Sequence, residues 1–164
     1  MKDTRIIYKP IGIIRSEHKL AEKTPIQPVY AKGCKGQAEI FDEFDEGLAD
    51  LDGFSHIYLI YHFHQVRETR MIVKPFLQDV DRGIFSTRAP FRPNPIGLSI
   101  VDLIKIDGNL IHFDGADILD GTPLLDIKPY TEKFDLHDVK KSGWQDEVDE
   151  ETAHRRGKRG HRPS

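Results

Sequence analysis

The stretch HIYLIYHFHQ, residues 56–65, decides the fold class of this chain. Its side chains alternate in character with a period of two, which is typical of a β-strand that has one buried face. The face predicted to pack in the core carries Ile57, Leu59, Tyr61 and Phe63. The opposite face, predicted to line a pocket, carries His56, Tyr58, Ile60, His62 and His64.

Three histidines on one face of a strand raise the question of a zinc site, because His-x-His spacing occurs in such sites. No HExxH motif and no companion carboxylate motif accompany them. The single cysteine, Cys34, excludes an internal disulfide and a multi-cysteine metal site. It is either a lone nucleophile or simply a small residue beside Gly33. We predict ordinary hydrogen-bonding histidines and no metal.

Further strand patterns lie on both sides of this stretch, at residues 5–14 with a bend at Pro10, 36–41, 71–76, 96–106 and 109–113. Asp107-Gly108 between the last two is a strong hairpin signal. Residues 122–130 are too rich in proline for a helix and too apolar for a free loop, and only residues 45–51 suggest a helical turn. We predict an all-β fold, a small antiparallel β-barrel of about seven strands with long loops and little helix.

Several enzyme classes find no support in this pattern. The chain has no GxGxxG after a strand and no GxxxxGK[ST], so it predicts neither a dinucleotide-binding fold nor a P-loop. It also lacks a GxSxG elbow of the kind that hydrolases use.

The length of 164 residues suggests a single domain. The net charge of the chain is −3. No apolar run is long enough to span a membrane and no signal-peptide core follows Met1, so we expect a cytoplasmic protein without a membrane partner. Residues 154–164 hold five Lys and Arg and no acid. This basic tail is predicted to be a disordered arm, which either contacts nucleic acid or only adds solubility.

The loop FSTRAPFRPNPIG, residues 85–97, combines three prolines with Arg88 and Arg92. Proline restricts its own backbone and that of the preceding residue, so the loop is stiff. A stiff loop loses little entropy on binding, and arginine suits bidentate capture of carboxylate or phosphate. The loop is therefore an anion-binding site or, alternatively, a connector with solvated arginines.

Two long motifs make this chain resemble the TrmO family, also called TsaA-like proteins. They are FSTRAPFRPNPIGL at residues 85–98 and DGTPLLDIKPY at residues 120–130, supported by short matches at 11–12, 25–28 and 54–57. The resemblance covers residues 6–130. It implies a β-barrel homodimer that uses S-adenosylmethionine (SAM), bound near the subunit contact, to methylate N6 of threonylcarbamoyladenosine at position 37 of tRNA. It also implies two parts, a TsaA-like SAM-binding barrel at 1–135 and a charged, partly disordered C-terminal extension at 136–164.

Residue by residue, the resemblance implies a cofactor-binding set of Pro25, Ile26, Gln27, His64, Gln65, Arg88, Leu98, Ile118, Leu119, Asp120 and Gly121. We expect this chain to lack the separate C-terminal domain of longer bacterial members. We therefore expect that it binds RNA through the barrel and the basic tail, or that it has a different substrate.

The reaction adds a second set of predicted residues. A carbamoylated N6 nitrogen must lose a proton, and Asp126 is the hypothesis for the base, with Asp120 second. Arg92 is assigned to the threonyl carboxylate, and Asn94 and Lys128 to further substrate contacts. Lys128 and Tyr130 complete the predicted catalytic set, although Tyr130 either stacks on a base or packs under the motif. The alternatives are a SAM-binding module, or a methyltransferase for another nucleoside or a small molecule.

Overall fold

The computed structural model describes residues 4–160, and within them six strands form one closed antiparallel barrel. The barrel order is β1-β2-β7-β6-β3-β8, and β4 and β5 form a separate two-stranded sheet. The strands are β1 Gly12–Ser16, β2 Lys35–Ile40, β3 His56–His62, β4 Ile72–Val73, β5 Arg82–Gly83, β6 Ile96–Asp107, β7 Leu110–Asp114 and β8 Thr122–Pro129. The predicted all-β barrel is confirmed, with six barrel strands against the expected seven.

Strand β3 lies between β6 and β8, and its alternation works as the sequence predicts. Ile57, Leu59 and Tyr61 are buried, whereas the side chains between them are only half-buried. Every residue of β3 is paired with β6, from His56 opposite Asp102 to His62 opposite Ile96. The strand ends at His62, so His64 lies in the loop beyond it.

The barrel interior is filled from all six strands, and two glycines make room for rings. A Cβ on Gly36 would lie 2.5 Å from the ring of Phe113, and one on Gly97 would lie 2.2 Å from the ring of Tyr61. Real Cβ atoms do not approach other atoms so closely, so these positions admit glycine alone without rearrangement. The other fully buried side chains include Ile14, Ile40, Ile57, Leu59, Val101, Ile111 and Leu124.

The predicted hairpin joins β6 to β7, with Asp107 paired to Leu110. Gly108 has φ +60°, and glycine at the first loop position is typical of a type II′ turn, whose twist matches that of the strands. Between β3 and β8 the register shifts, because Ile60 lies opposite Asp126 whereas Tyr61 lies opposite Leu124. This bulge turns Leu124 into the core and leaves Asp126 on the outer face.

Three local predictions need correction. The first strand begins at Gly12 and not at residue 5, since Pro10 interrupts pairing and Ile6 and Ile7 are exposed. Residues 71–76 contribute only the short β4. The prediction of a disordered arm from residue 154 onward is wrong for residues 154–157, because these residues lie in a helix.

The C-terminal region contains two α-helices, α1 Glu132–Asp135 and α2 Glu150–Gly157, with a 3-10 turn at Gly143–Glu147 between them. Asp149 caps α2 by accepting a hydrogen bond from the Thr152 amide at 2.7 Å. Residues 161–164 lie outside the described range. None of the described helices has the length and apolar character needed to span a bilayer.

Candidate functional site

Two of the loops predicted to bind cofactor meet at Gln27 and Arg88. Residues 25–27 lie between the 3-10 turns Ala21–Lys23 and Pro28–Tyr30, with Pro25 buried and Gln27 extended at φ −152°. Arg88 Nη1 donates a hydrogen bond to Gln27 Oε1 at 2.6 Å. The structure therefore brings these loops together although 61 residues separate them.

Arg92 points back into its own loop. Its Nη1 lies 2.8 Å from the carbonyl oxygen of Thr87 and 3.2 Å from that of Ile84, and its guanidinium carbon is 5.8 Å from the centre of the Phe85 ring. These contacts stabilise the conformation of the loop. Because Nη1 is used in them, the predicted substrate role of Arg92 would fall to its other guanidinium nitrogens. Asn94, the other substrate residue predicted there, is exposed.

His64 lies against the second motif. Its Nδ1 is 3.3 Å from Thr122 Oγ1, which donates to the carbonyl of Leu119 at 2.7 Å. Burial, followed by the charges of His62 and Arg67, lowers the pKa of His64, so its imidazole is neutral near pH 7. Gln65, its neighbour in the predicted cofactor set, is exposed.

Residues 118–121 are fixed onto the end of β1. Ile118 is buried, and its carbonyl oxygen accepts a hydrogen bond from Ser16 Oγ at 2.5 Å. Asp120 Oδ1 accepts from the Ser16 amide at 3.1 Å, and Oδ2 pairs with Lys19 at 2.6 Å. The Lys19 ammonium is the main cause that lowers the pKa of Asp120. A carboxylate held ionised in this way is a poor proton acceptor, which weakens its second place as the predicted base.

A separate group of predicted residues lies on the outer face of the barrel. Leu98 and Asp126 are both opposite Ile60, on its two neighbouring strands. Asp126 Oδ2 is 3.0 Å from the Lys128 ammonium, and both side chains are about half exposed or more. Tyr130 packs with its ring centre 5.8 Å from that of Tyr58. The structure thus divides the predicted set into a loop group around Arg88 and an outer-face group around Asp126.

Asp117 is a buried residue that the sequence analysis missed. Ser99 Oγ donates to its Oδ1 at 2.7 Å, and Ser99 Oγ lies 3.0 Å from the Tyr61 hydroxyl. Burial raises the pKa of Asp117 to about 7, while the Ser99 hydrogen bond and the charge of Arg88 act in the opposite direction. Its signal in the sequence is an acid between the apolar residues Ala116 and Ile118, next to the second motif.

One cluster of metal-ligand types occurs in the described part of the chain, at Glu17, His18 and Cys34, with ligand atoms within 4.8 Å of one another. His18 Nε2 is 2.6 Å from the Ala116 carbonyl oxygen and therefore donates to it. Burial, followed by Glu17, raises the pKa of Cys34 to about 11, which disfavours the thiolate that binds metal. The cluster does not fit a ready metal site, and the absence of metal stays a prediction.

A polar groove of about 470 Å³ runs beside Asp120, between β1, β2, β6 and β7. Its walls carry Arg15, Lys19, Lys35 and Lys105. Each of these cations has an acidic partner within 4.0 Å. The groove is therefore close to neutral, although a cluster of cations lines it.

A family model described as the tRNA-methyltransferase O N-terminal domain matches residues 13–136. The chain belongs to the TrmO family. This confirms the resemblance stated from the motifs, and the match covers every predicted site residue and all of the barrel strands except Gly12. The family model is named for a tRNA methyltransferase, and the relatives described next are named for SAM binding or for methyl transfer to tRNA, so the predicted class of SAM-dependent methyltransferase is confirmed as well.

Two relatives of this TrmO-family chain have names of different kinds. A probable S-adenosyl-L-methionine-binding protein of Pyrococcus abyssi is 50% identical over 139 residues, which is 85% of this chain and 76% of the relative. The human tRNA (adenine(37)-N6)-methyltransferase is 36% identical over 137 residues, 79% of this chain but 31% of the human protein. The names thus describe cofactor binding in one case and a tRNA reaction in the other.

A crystal structure of TrmO from Pseudomonas aeruginosa superposes with a TM-score of 0.71 at 36% identity. The alignment covers 85% of this chain and 62% of the Pseudomonas chain. This TrmO-family chain therefore spans less than two thirds of that structure.

Proposed function

We propose that this chain methylates N6 of threonylcarbamoyladenosine at position 37 of tRNA, with SAM as the methyl donor and without a metal. The observation that carries the proposal is the hydrogen bond from Arg88 to Gln27, which joins two predicted cofactor segments of a methyltransferase family. His64 and residues 118–121 form a second connected pair through Thr122. Human and rodent relatives named as tRNA (adenine(37)-N6)-methyltransferases support the choice of substrate.

Methyl transfer from a sulfonium is an in-line displacement, so alignment of nitrogen, methyl and sulfur is the main task of the protein. The rigid Arg88 loop suits this task, since Arg92 ties it to its own carbonyl groups. SAM supplies an activated methyl group, and the chain must hold the acceptor and remove its proton. Asp126 stays our hypothesis for the base, with its neighbour Lys128 available to an anionic part of the substrate.

We also propose a cytoplasmic homodimer. Three apolar side chains on the outer face of β6, Ile96, Leu98 and Ile100, are 38–46% exposed and alternate with buried positions. A second copy that covers this strip would remove apolar area from water. Because Leu98 and Asp126 share this face, the subunit contact would then border the outer-face group of predicted residues.

The test combines calorimetry with mass spectrometry of tRNA nucleosides from cells with and without this chain. We expect SAM binding in vitro, and loss of N6-methyl-threonylcarbamoyladenosine from the cells that lack the chain. SAM binding without any change in the tRNA nucleosides would instead favour the alternative of a SAM-binding module. Methylation of another nucleoside or of a small molecule would favour the third hypothesis.

The base is tested with Asp126→Asn. We expect a loss of turnover of at least about 100-fold with little change in SAM affinity, because general base catalysis typically contributes that much. Asp138→Asn is the matched control, since Asp138 is an exposed carboxylate paired with Lys140 at 2.7 Å. Full turnover of Asp126→Asn would remove Asp126 from the mechanism.

A further inference from the structure

Residues 143–160 lie beyond the family match, which ends at residue 136, yet they contact the loops that carry the predicted cofactor residues. We call this segment the C-terminal clamp. It consists of the 3-10 turn Gly143–Glu147, α2 and the residues that end α2. The inference below rests on the proposed cofactor role of Gln27 and Arg88.

The end of α2 is joined to the cofactor loop through Gly157. The Ile26 amide donates to the carbonyl oxygen of Gly157 at 3.0 Å. Gly157 is buried against the ring of Tyr30, and a Cβ at this position would lie 2.4 Å from that ring. Only glycine fits here without displacing either the helix or residues 26–30.

A second contact fixes α2 to the loop after β4. Arg156 forms a bidentate pair with Asp79, at 3.2 Å to Oδ1 and 2.9 Å to Oδ2. Arg159 lies over the ring of Phe76, with its guanidinium carbon 4.1 Å from the ring centre. Two cations of the predicted basic arm are therefore used to hold the clamp on the barrel domain.

The 3-10 turn of the clamp contacts the loop of residues 85–97, which carries Arg88. Trp144 Nε1 donates to the carbonyl oxygen of Ser86 at 2.8 Å, two residues before Arg88. Arg82 lies 5.9 Å from the centre of the Trp144 ring and pairs with Glu147 at 3.4 Å. The clamp thus contacts both loops of the Gln27–Arg88 pair, through Ile26 next to Gln27 and through Ser86 two residues before Arg88.

We infer that the C-terminal clamp is a positioning element of the SAM site, which holds the Gln27 loop and the Arg88 loop at the separation where their side chains meet. The Gln27–Arg88 hydrogen bond is exposed, and a bond of this kind contributes little against the entropy of two loops. The clamp orders both loops before SAM arrives. Without it, only a fraction of molecules would be competent to bind, and apparent affinity would fall by that fraction.

The test uses the full chain with two disrupted variants. Gly157→Val displaces α2 from Tyr30, and Arg156→Ala removes the pair with Asp79. We expect the Kd for SAM to rise about tenfold in each if a tenth of the molecules remain competent, with kcat at saturating SAM nearly unchanged. Arg155→Ala is the charge-matched control, since Arg155 is exposed on the same helix and should leave the Kd unchanged.

Trp144 is the only tryptophan of the chain, so its fluorescence reports directly whether the clamp is docked. A core variant, Ile40→Val, separates positioning from stability, because it should lower Tm and leave both the Kd and the fluorescence as in the wild type. If the clamp undocks in both disrupted variants and SAM affinity stays normal, the inference is overturned and the proposed function stands. If the wild-type chain itself does not bind SAM, the proposed function falls and the inference falls with it.

Discussion

At the scale of single residues, Asp117 shows how burial changes a carboxyl group. Its side chain is buried beside Ser99, and its pKa is raised to about 7 mainly by the loss of water. The unfolded chain has an ordinary aspartate at this position and therefore releases the proton at a lower pH. The folded state binds more protons between about pH 4 and pH 7, so folding stability falls as the pH rises through that window.

We predict that Asp117→Asn removes this loss. Between about pH 5 and about pH 8, the free energy of unfolding of the variant should rise relative to that of the wild type by an amount on the order of a few kcal/mol. The Tm of the variant should rise relative to that of the wild type over the same range. The measurement is thermal unfolding across this pH range. Asp107→Asn, at the exposed hairpin, is the control and should show no such trend. A difference that stays constant with pH would show that Asp117 is ionised throughout.

The same residue marks the limit of sequence reasoning about the site. Gln27 and Arg88 could be predicted because long motifs carry them, and the structure brings them together. Asp117 is one acid among many in the sequence, and its burial follows only from where Ser99 and Tyr61 lie across the barrel. Likewise, Lys19 lowers the pKa of Asp120 although 101 positions of sequence separate the two residues, and no local pattern predicts that contact.

At the scale of elements, the pairing of β3 with β6 depends on a close fit between Gly97 and Tyr61. The two residues are opposite each other, and the Tyr61 ring also packs edge-on against Phe63 with ring centres 5.5 Å apart. Its hydroxyl is 3.0 Å from Ser99 Oγ. The ring therefore has little freedom to make room for a larger residue.

We predict that Gly97→Ala destabilises the fold by about 1–3 kcal/mol, the usual range for overpacking. Gly83→Ala is the matched control, because a Cβ there meets no atom within 4 Å and φ is −61°. Urea unfolding monitored by circular dichroism measures both variants. Equal stability of the two would mean that β3 and β6 can separate without cost, contrary to the fit described above.

Elements with strict alternation could be predicted well, and elements that depend on distant partners could not. β3 and the β6–β7 hairpin follow from a period of two and from Asp107-Gly108. Helix α2 is polar and has no apolar period, so its sequence resembles a solvated tail. Its stability comes from Asp79, Tyr30 and Ile26, which lie far away in sequence.

At the scale of the whole molecule, the apolar strip on β6 predicts the oligomeric state. Ile100→Lys should weaken the proposed homodimer at least about tenfold, since a charged residue would be buried without a partner. Sedimentation velocity over a range of concentrations measures the effect. Met71→Lys is the control, because Met71 is similarly exposed but lies away from the barrel strands. If the wild type sediments as a monomer at all concentrations, the homodimer is wrong.

Closure of the barrel has a consequence for how copies of this chain can associate. Each of the six barrel strands has two hydrogen-bonded neighbours, since β1 pairs with both β2 and β8. Within residues 4–160, the sheet edges that stay open belong to β4 and β5, which are two residues long. A neighbouring molecule therefore finds no long edge strand to extend, and the route by which many sheets aggregate is closed. Contacts that the barrel makes with another copy must therefore form through side chains on its outer face, where a single substitution can control them.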